Sequence, residues 1–322
     1  MMNILITGGL GFIGHLVSKK LIDQGHNVYI IDIQTSYGVI PQDEINYLMT
    51  ERKKLVNTEN IFDFDICDEY SMNGFFKNAE YFDIVIHMAS FPRQDVVNSN
   101  PVYGSKVMIN GLLNLIELCK HRTNRFVYVS SSMVYGDFKS NIRETATCSP
   151  IGKYAIMKLT GEHLVADYSK QGHFDYVVVR PSAVYGPLDV KDRVVSKFFD
   201  AAINDDIITV KGATQTLDFT YVDDAAEGIV LAALKGKHGN IYNITRGVGV
   251  KLINAAKLIH TIVGKGKIIK TARDSNFPKR GKLCIDKAIK DLNYNPQIDI
   301  EQGFIKYYDW LQNTTFWSKK TI

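Results

Sequence analysis

Residues Thr7-Gly8-Gly9-Leu10-Gly11-Phe12-Ile13-Gly14 join a short apolar run, residues 3–6, to a stretch with helical spacing of its apolar side chains, residues 13–24. A strand that feeds a helix through so few residues needs glycine, because the chain must turn tightly and pack the two elements closely. Gly8, Gly11 and Gly14 also let a pyrophosphate approach the backbone. Phe12, Ile13 and Gly14 open a helix whose unpaired N–H groups and positive dipole end face that anion. Glycine spacing alone is a common pattern. Here it follows a strand, opens a helix and precedes a second strand, residues 27–31, that ends at Asp32, which marks a dinucleotide-binding unit. Asp32 is placed to accept hydrogen bonds from the adenine ribose hydroxyls. Its charge repels a 2′-phosphate and no Arg or Lys follows at once, which favours NAD over NADP. A turn-capping role is the plain alternative for Asp32. Asp65-Ile66 is a candidate edge of the adenine site or, equally, a surface turn.

The alternation continues along the chain. Apolar runs at 83–87, 125–130 and 175–180 are separated by helical stretches such as 111–119 and 153–168. Strand and helix in turn predict an α/β fold, a doubly wound parallel sheet with right-handed crossovers and helices on both faces. After about Gly186 the segments become mixed, with turn signals at Asp205-Asp206 and Lys211-Gly212-Ala213 and helical patterns at 252–263 and 300–311. The expected organisation is a Rossmann domain over 1–186, with 216–245 returning to it. A smaller, mainly substrate-binding region is expected over 187–322. No flexible linker separates the halves, so they should share one cleft.

Composition excludes several classes. The 322 residues are 45% hydrophobic and 22% charged, an ordinary globular balance. A net charge of +4 without any block of Lys or Arg argues against nucleic-acid binding and suits an anionic substrate. Cys67, Cys119, Cys148 and Cys284 form no CxxC pair, so free thiols are expected and no metal site. No apolar stretch approaches the ~20 residues of a membrane span, and the N-terminus lacks a basic leader. A cytoplasmic protein without a membrane partner is the expectation.

Tyr154 and Lys158 lie four residues apart in Lys-Tyr-Ala-Ile-Met-Lys, on one face of a predicted helix. A hydride-transfer enzyme needs a base for the hydroxyl proton. A phenol of pKa near ~10 serves only when nearby positive charge lowers it. Lys158 can supply that charge, although an exposed Tyr–Lys pair is common in any helix. Val129-Ser130-Ser131-Ser132-Met133-Val134-Tyr135-Gly136 follows the fourth of these apolar runs, at the edge where parallel sheets bind ligands. A serine there can hold the reacting sugar oxygen, or merely bond its own loop.

Together these residues resemble the extended short-chain dehydrogenase/reductases of the nucleotide-sugar epimerase/dehydratase type. TGGLGFIG, Asp32, His87-Met88-Ala89-Ser90, SSSMVYG, YAIMK, Arg180-Pro181-Ser182-Ala183-Val184-Tyr185-Gly186-Pro187 and Asp218-Phe219-Thr220-Tyr221-Val222-Asp223-Asp224 occur in that family's order. Pro278-Lys279-Arg280-Gly281 also fits. The resemblance implies Tyr154 as base, Lys158 as holder of the nicotinamide ribose and tuner of Tyr154, and Ser131 as hydroxyl partner. It lays Met88, Ala89, Ser90 and Pro181 along NAD. It further implies a nucleotide-diphosphate sugar as substrate and a homodimer formed through the helices at 111–119 and 154–168.

Departures from the family pattern narrow the reaction. Dehydratases carry an acid pair at the positions of Ser132 and Met133, and neither residue can do that proton work. Leu217 stands where an Arg often meets the diphosphate, Ala183 where an Asn often precedes VYGP, and Met108 where an Asn often lies before Gly111. Arg280 is the main remaining candidate for the diphosphate, ahead of Arg93 and Lys197, with a solvated surface role as the alternative for each. The leading expectation is an epimerase working through a 4-keto sugar, with Ser132 and Met133 beside the substrate. A 4-dehydrogenase that releases the ketone, of a sugar that includes the heptoses, is the alternative enzyme. A non-catalytic NAD-binding regulator is the alternative from another class.

Overall fold

Strand β1 (Asn3–Thr7) buries Ile4, Leu5 and Ile6 completely. Successive side chains of a strand point to opposite faces, so such a run must be covered on both. In the computed structural model, which describes residues 1–79, 81–91, 94–139, 141–274 and 278–314, it is. Ile4 and Ile6 join one buried cluster with Ile84, Ile86 and Val127, while Leu5 joins another with Val85, Phe126 and Tyr128. Strands β2 (Asn27–Ile31), β3 (Ile61–Phe62), β4 (Phe82–His87), β5 (Thr123–Val129), β6 (Asp175–Pro181) and β7 (Asn240–Ile244) complete the sheet. Their order is β7-β6-β5-β4-β1-β2-β3, and every pairing is parallel. The doubly wound sheet expected from the alternation is present. Two of its strands, β3 and β7, lie outside the expected runs.

Helices α1 (Gly14–Asp23) and α2 (Gln42–Val56) send Val17, Leu21, Leu48 and Met49 into the first cluster. Helix α3 (Lys153–Lys170) sends Val165 into the second. From β1 the chain moves outward to β2 and β3, then crosses to β4 on the other side of β1. That reversal opens a crevice above the carboxyl ends of β1 and β4, the usual ligand position in open α/β sheets.

A third cluster holds the smaller region. Helices α4 (Val194–Ile203), Leu252–Val263 and Ile300–Asn313 bury Phe198, Phe199, Ile259, Phe304 and Tyr307 together. Beside them Ile207–Lys211 pairs in parallel with Lys267–Thr271, and the strand at 207–211 is bracketed by the two turn signals seen in the sequence. The chain then rejoins the sheet. Helix α5 (Val222–Lys235) places Ala226 and Ile229 in the first cluster, and β7 extends the edge beyond β6. Ala288, Leu292 and Tyr294 lie in that cluster too, beyond the segment expected to return.

Two glycines make opposite predictions. A Cβ at Gly14 would overlap the Gly8 carbonyl oxygen, whereas one at Gly74, exposed on the helix Glu69–Asn78, would meet nothing. Gly14→Ala should lower unfolding stability by about 2–3 kcal/mol. Gly74→Ala should raise it by about 0.5–1 kcal/mol. Urea denaturation of the two variants checks both signs.

Candidate active site

The turn after β1 is shaped by its own backbone. Gly8 N–H donates to Ile31 O at 2.8 Å and Gly11 N–H to Gly8 O at 3.0 Å. Gly8 sits at φ +72°, and a Cβ there would come within 2.6 Å of Ala89 N. At Gly11 a Cβ would meet only Gly8 O, so that side of the turn faces open space. The start of α1 at Ile13 has no side-chain cap. An anion therefore finds both room and unpaired N–H groups here.

Asp32, only 8% exposed, ends β2 above this turn. Its Oδ2 accepts from Leu10 N–H and its Oδ1 from Gln34 N–H, both at 2.9 Å. Burial raises its pKa, and the two N–H donors oppose the rise. The turn-bracing role is thus real, and each oxygen keeps a lone pair for a further donor. These residues fit a dinucleotide: a cradle at Gly11, an open helix start, and a carboxylate at the end of the second strand. Asp65 lines the same cleft, where its Oδ1 accepts from Cys67 N–H at 2.8 Å. Ile66, Met88, Ala89, Ser90 and Pro181 line it as well. The cleft encloses about 980 Å³ and runs from Gly11 past Tyr154 to Arg280.

Tyr154 and Lys158 stand on α3 at the centre of this cleft. Asn98 fixes the helix start by accepting from Tyr154 N–H at 3.1 Å. The Ser131 hydroxyl lies beside the Tyr154 phenol, where it draws the phenol pKa down, and accepts from Met133 N–H at 3.2 Å. Burial raises the phenol pKa, while the Arg193 charge and the Ser131 hydroxyl pull it down. Lys158 is buried and donates to Val129 O at 2.9 Å. Burial pushes it down to about 8 against the opposing charge of Glu162. The Lys158 ammonium is turned to the β5 carbonyl, and the Arg193 charge lowers the phenol pKa. Below them, Glu162 receives Ser130 Oγ at 2.5 Å and Arg180 at 2.9 and 2.6 Å. His87, at the end of β4, shares a 2.7 Å hydrogen bond with Thr7 Oγ1. Burial and then the Lys158 charge push it down to about 3.

The substrate-side candidates separate. Ser132 and Met133 are buried in the cleft wall next to Ser131. Arg280 is half-buried in the same wall, and burial holds its guanidinium down at about 10. Lys197 lines the cleft too and pairs with Asp192 at an exposed position. Arg93 lies outside the described residues. Asp218, by contrast, is a brace. It accepts from Thr245 Oγ1, Leu283 N–H and Gly247 N–H at 3.0–3.1 Å, and burial raises it to about 6. Among the described residues no group of His, Cys, Asp or Glu could hold a metal ion, and no helix is long and apolar enough to cross a membrane. The four cysteines are free.

Sequence reasoning missed Arg52 and Arg193. Arg52 is buried on α2, where Nη1 donates to Leu10 O at 3.1 Å and Nη2 to Leu188 O at 2.7 Å. A signal existed: Arg52 falls on the apolar stripe formed by Ile45, Leu48, Met49 and Val56. Arg193 precedes α4 at an exposed position and carries no such signal.

Comparison with known proteins places this geometry among relatives. The model of the NAD dependent epimerase/dehydratase family matches residues 4–245. A putative UDP-glucose 4-epimerase of Methanocaldococcus jannaschii is 31% identical over 96% of this chain and 98% of its own length. An uncharacterised UDP-glucose epimerase of Bacillus subtilis is 29% identical over 97% and 98%. The crystal structure of a UDP-glucuronic acid 4-epimerase from Bacillus cereus, in complex with UDP-glucuronic acid and NAD, superposes with a TM-score of 0.87. It is 27% identical, covering 97% of this chain and 99% of that one.

The buried histidines give a pH prediction. His87 and His15 are both held near 3, against about 6.5 in an unfolded chain. A depressed folded pKa means stability that is present above about pH 6.5 and lost as pH falls toward 3. Between pH 7 and pH 5 each should remove about 2 kcal/mol of unfolding free energy. His87→Gln should recover about one such share of the loss. Urea unfolding at the two pH values measures this, and an undiminished loss in the variant would contradict it.

Proposed function

Because this chain belongs to the NAD-dependent epimerase/dehydratase family, and so is an NAD-dependent enzyme, we propose that it epimerises a nucleotide-diphosphate sugar through a 4-keto intermediate. The observation that carries this reading is the Tyr154 phenol, beside Ser131 and one turn from buried Lys158, within the cleft that starts at the glycine turn. Gly8, Gly11 and the start of α1 would hold the pyrophosphate. Asp32 would hold the adenine ribose, and Lys158 the nicotinamide ribose. When bound, NAD supplies the acceptor for a hydride leaving the sugar carbon and afterwards its donor.

The chain supplies the proton chemistry. Tyr154 takes the proton from the sugar hydroxyl, and Ser131 donates to the sugar oxygen as it becomes a carbonyl. Ser131 and the Arg193 charge favour the phenolate that this step needs. Arg280 offers the diphosphate a planar fork of donors. With the diphosphate held there, the keto ring turns and presents its other face. Tyr154 then returns the proton to the re-formed hydroxyl. Loss of water needs an acid and a base beside the ring, and Ser132 with Met133 supplies neither, which favours epimerisation over dehydration. We propose in addition a homodimer, supported by exposed Val102 and Ile156 on neighbouring helices, and a cytoplasmic role in carbohydrate biosynthesis.

Tyr154→Phe should lower turnover at least ~100-fold while leaving bound NAD in place. Proton NMR of UDP- and GDP-sugars incubated with the protein follows the product. Interconversion of two sugar configurations is the expected result. A stable ketone with stoichiometric reduction of NAD would replace the epimerase by a 4-dehydrogenase.

A further inference from the structure

Buried polar atoms in folded proteins almost always have a hydrogen-bond partner, so those that lack one ask for an explanation. Four such atoms belong to residues that line the cleft, Arg52 Nε, Ser90 Oγ, Gln94 Nε2 and Ser132 Oγ, and the last two lie on segments packed against α3. Among the described residues neither of these two has a partner. Ser132 is 1% exposed and follows Ser131, whose hydroxyl lies beside the Tyr154 phenol. Gln94 lines the same cleft as Tyr154. It lies one turn before Asn98 on the short helix Gln94–Ser99, and Asn98 accepts from Tyr154 N–H. Residues four apart share a helix face, so Gln94 and Asn98 present the same side to the start of α3.

The segment that carries Gln94 is held at both ends. Before it, Phe91 is buried and stacks on Tyr37 with ring centroids 5.3 Å apart. After it, Val97 is fully buried against Gly104, where a Cβ would come within 2.8 Å of the valine side chain. On this helix the Gln94 amide is a buried donor lining the cleft. An amide nitrogen donates and cannot accept, whereas a serine hydroxyl does both. A sugar hydroxyl also does both, so one hydroxyl can accept from Gln94 and donate to Ser132. A carboxylate oxygen could accept from both groups as well, so the pair calls for an acceptor, which a sugar hydroxyl supplies.

We propose that Gln94 and Ser132 form a subsite for a second hydroxyl of the sugar, next to the one that Tyr154 deprotonates, and so select sugars that keep it. This rests on the nucleotide-sugar reading above. Neither side chain takes part in proton transfer; they decide which sugar is held.

Calorimetric binding to the NAD-loaded protein tests it, with UDP-glucose, UDP-6-deoxyglucose and UDP-3-deoxyglucose as probes. Wild type should bind UDP-glucose about 10- to 100-fold more tightly than one of the deoxy sugars, the range of a lost buried hydrogen bond. Gln94→Leu and Ser132→Ala should each bring UDP-glucose down toward that deoxy sugar and leave the deoxy sugar unchanged. Ser132→Ala should keep or raise Tm, since it removes an oxygen without a partner; a lower Tm would mark a structural hydrogen bond and overturn the proposal. Equal losses for all three sugars, no loss for any, or a wild type that does not discriminate them would overturn it too. Because binding is read, the two readings fail separately. An intact selectivity pattern with a ketone product sinks epimerisation alone, and clean epimerisation with selectivity untouched by the variants sinks the subsite alone.

Discussion

The buried ion pair between Glu162 and Arg180 sets the height of the catalytic helix on the sheet. Both side chains are almost fully buried, and the guanidinium meets the carboxylate through two hydrogen bonds. Burying two charges is unfavourable unless geometry is good and the remaining polar atoms are satisfied. Here the Ser130 hydroxyl adds a third bond to the carboxylate, while Arg180 Nη1 has no hydrogen-bond partner among the described residues and the guanidinium lies 4.7 Å from the Tyr135 ring centre. Tyr135 in turn donates to Asn243 on the edge strand at 2.7 Å. One network thus joins α3, β5, β6 and β7. Tyr154, Lys158 and Glu162 recur every four residues on α3, so fixing Glu162 fixes Tyr154 two turns above it. Ser131 immediately follows Ser130, so the same network places the hydroxyl that lies beside the phenol.

A second brace joins the two sides of the cleft. The Leu10 peptide is held at its N–H by Asp32 and at its carbonyl by Arg52. The other arm of Arg52 reaches Leu188, and Glu44 on the same helix accepts from Lys191 N–H at 2.7 Å. Helix α2 therefore ties the glycine turn to the segment leading into Arg193, whose charge acts on Tyr154. Nucleotide end and chemical end are parts of one rigid arrangement, because both hang from buried charged residues that cannot move without losing several bonds at once.

What the sequence made legible was local. The glycine turn, the strand ending at Asp32 and the Tyr154/Lys158 spacing are patterns within a few residues, and each corresponds to one turn or one helix face. β3 escaped because two residues make no recognisable run, and β7 because Asn-Ile-Tyr-Asn-Ile looks half polar although it pairs along its whole length with β6. Arg193 approaches Tyr154 from 39 positions away, across the two regions, and no spacing rule connects them. The pairing of Lys197 with Asp192 is likewise a contact that only the folded loop reveals. Arg52 and Glu162 were readable in principle, since a charge at an apolar position of a helical stripe must find a buried partner.

The electrostatics of Tyr154, the base on the reading proposed above, keep its phenol neutral at rest in a buried cleft. Burial raises the phenol pKa by more than Ser131 and Arg193 lower it. Lys158 is itself held down to about 8 and bonded to a carbonyl, so its charge is not fully committed to the phenol. Ionisation therefore calls for further positive charge in the cleft, and an oxidised nicotinamide ring carries one. In a desolvated site such a charge acts strongly on its neighbours. On the function proposed above, the phenolate would be favoured where the hydride acceptor is bound and disfavoured where it is absent, which would join proton removal to hydride transfer through the field of the site.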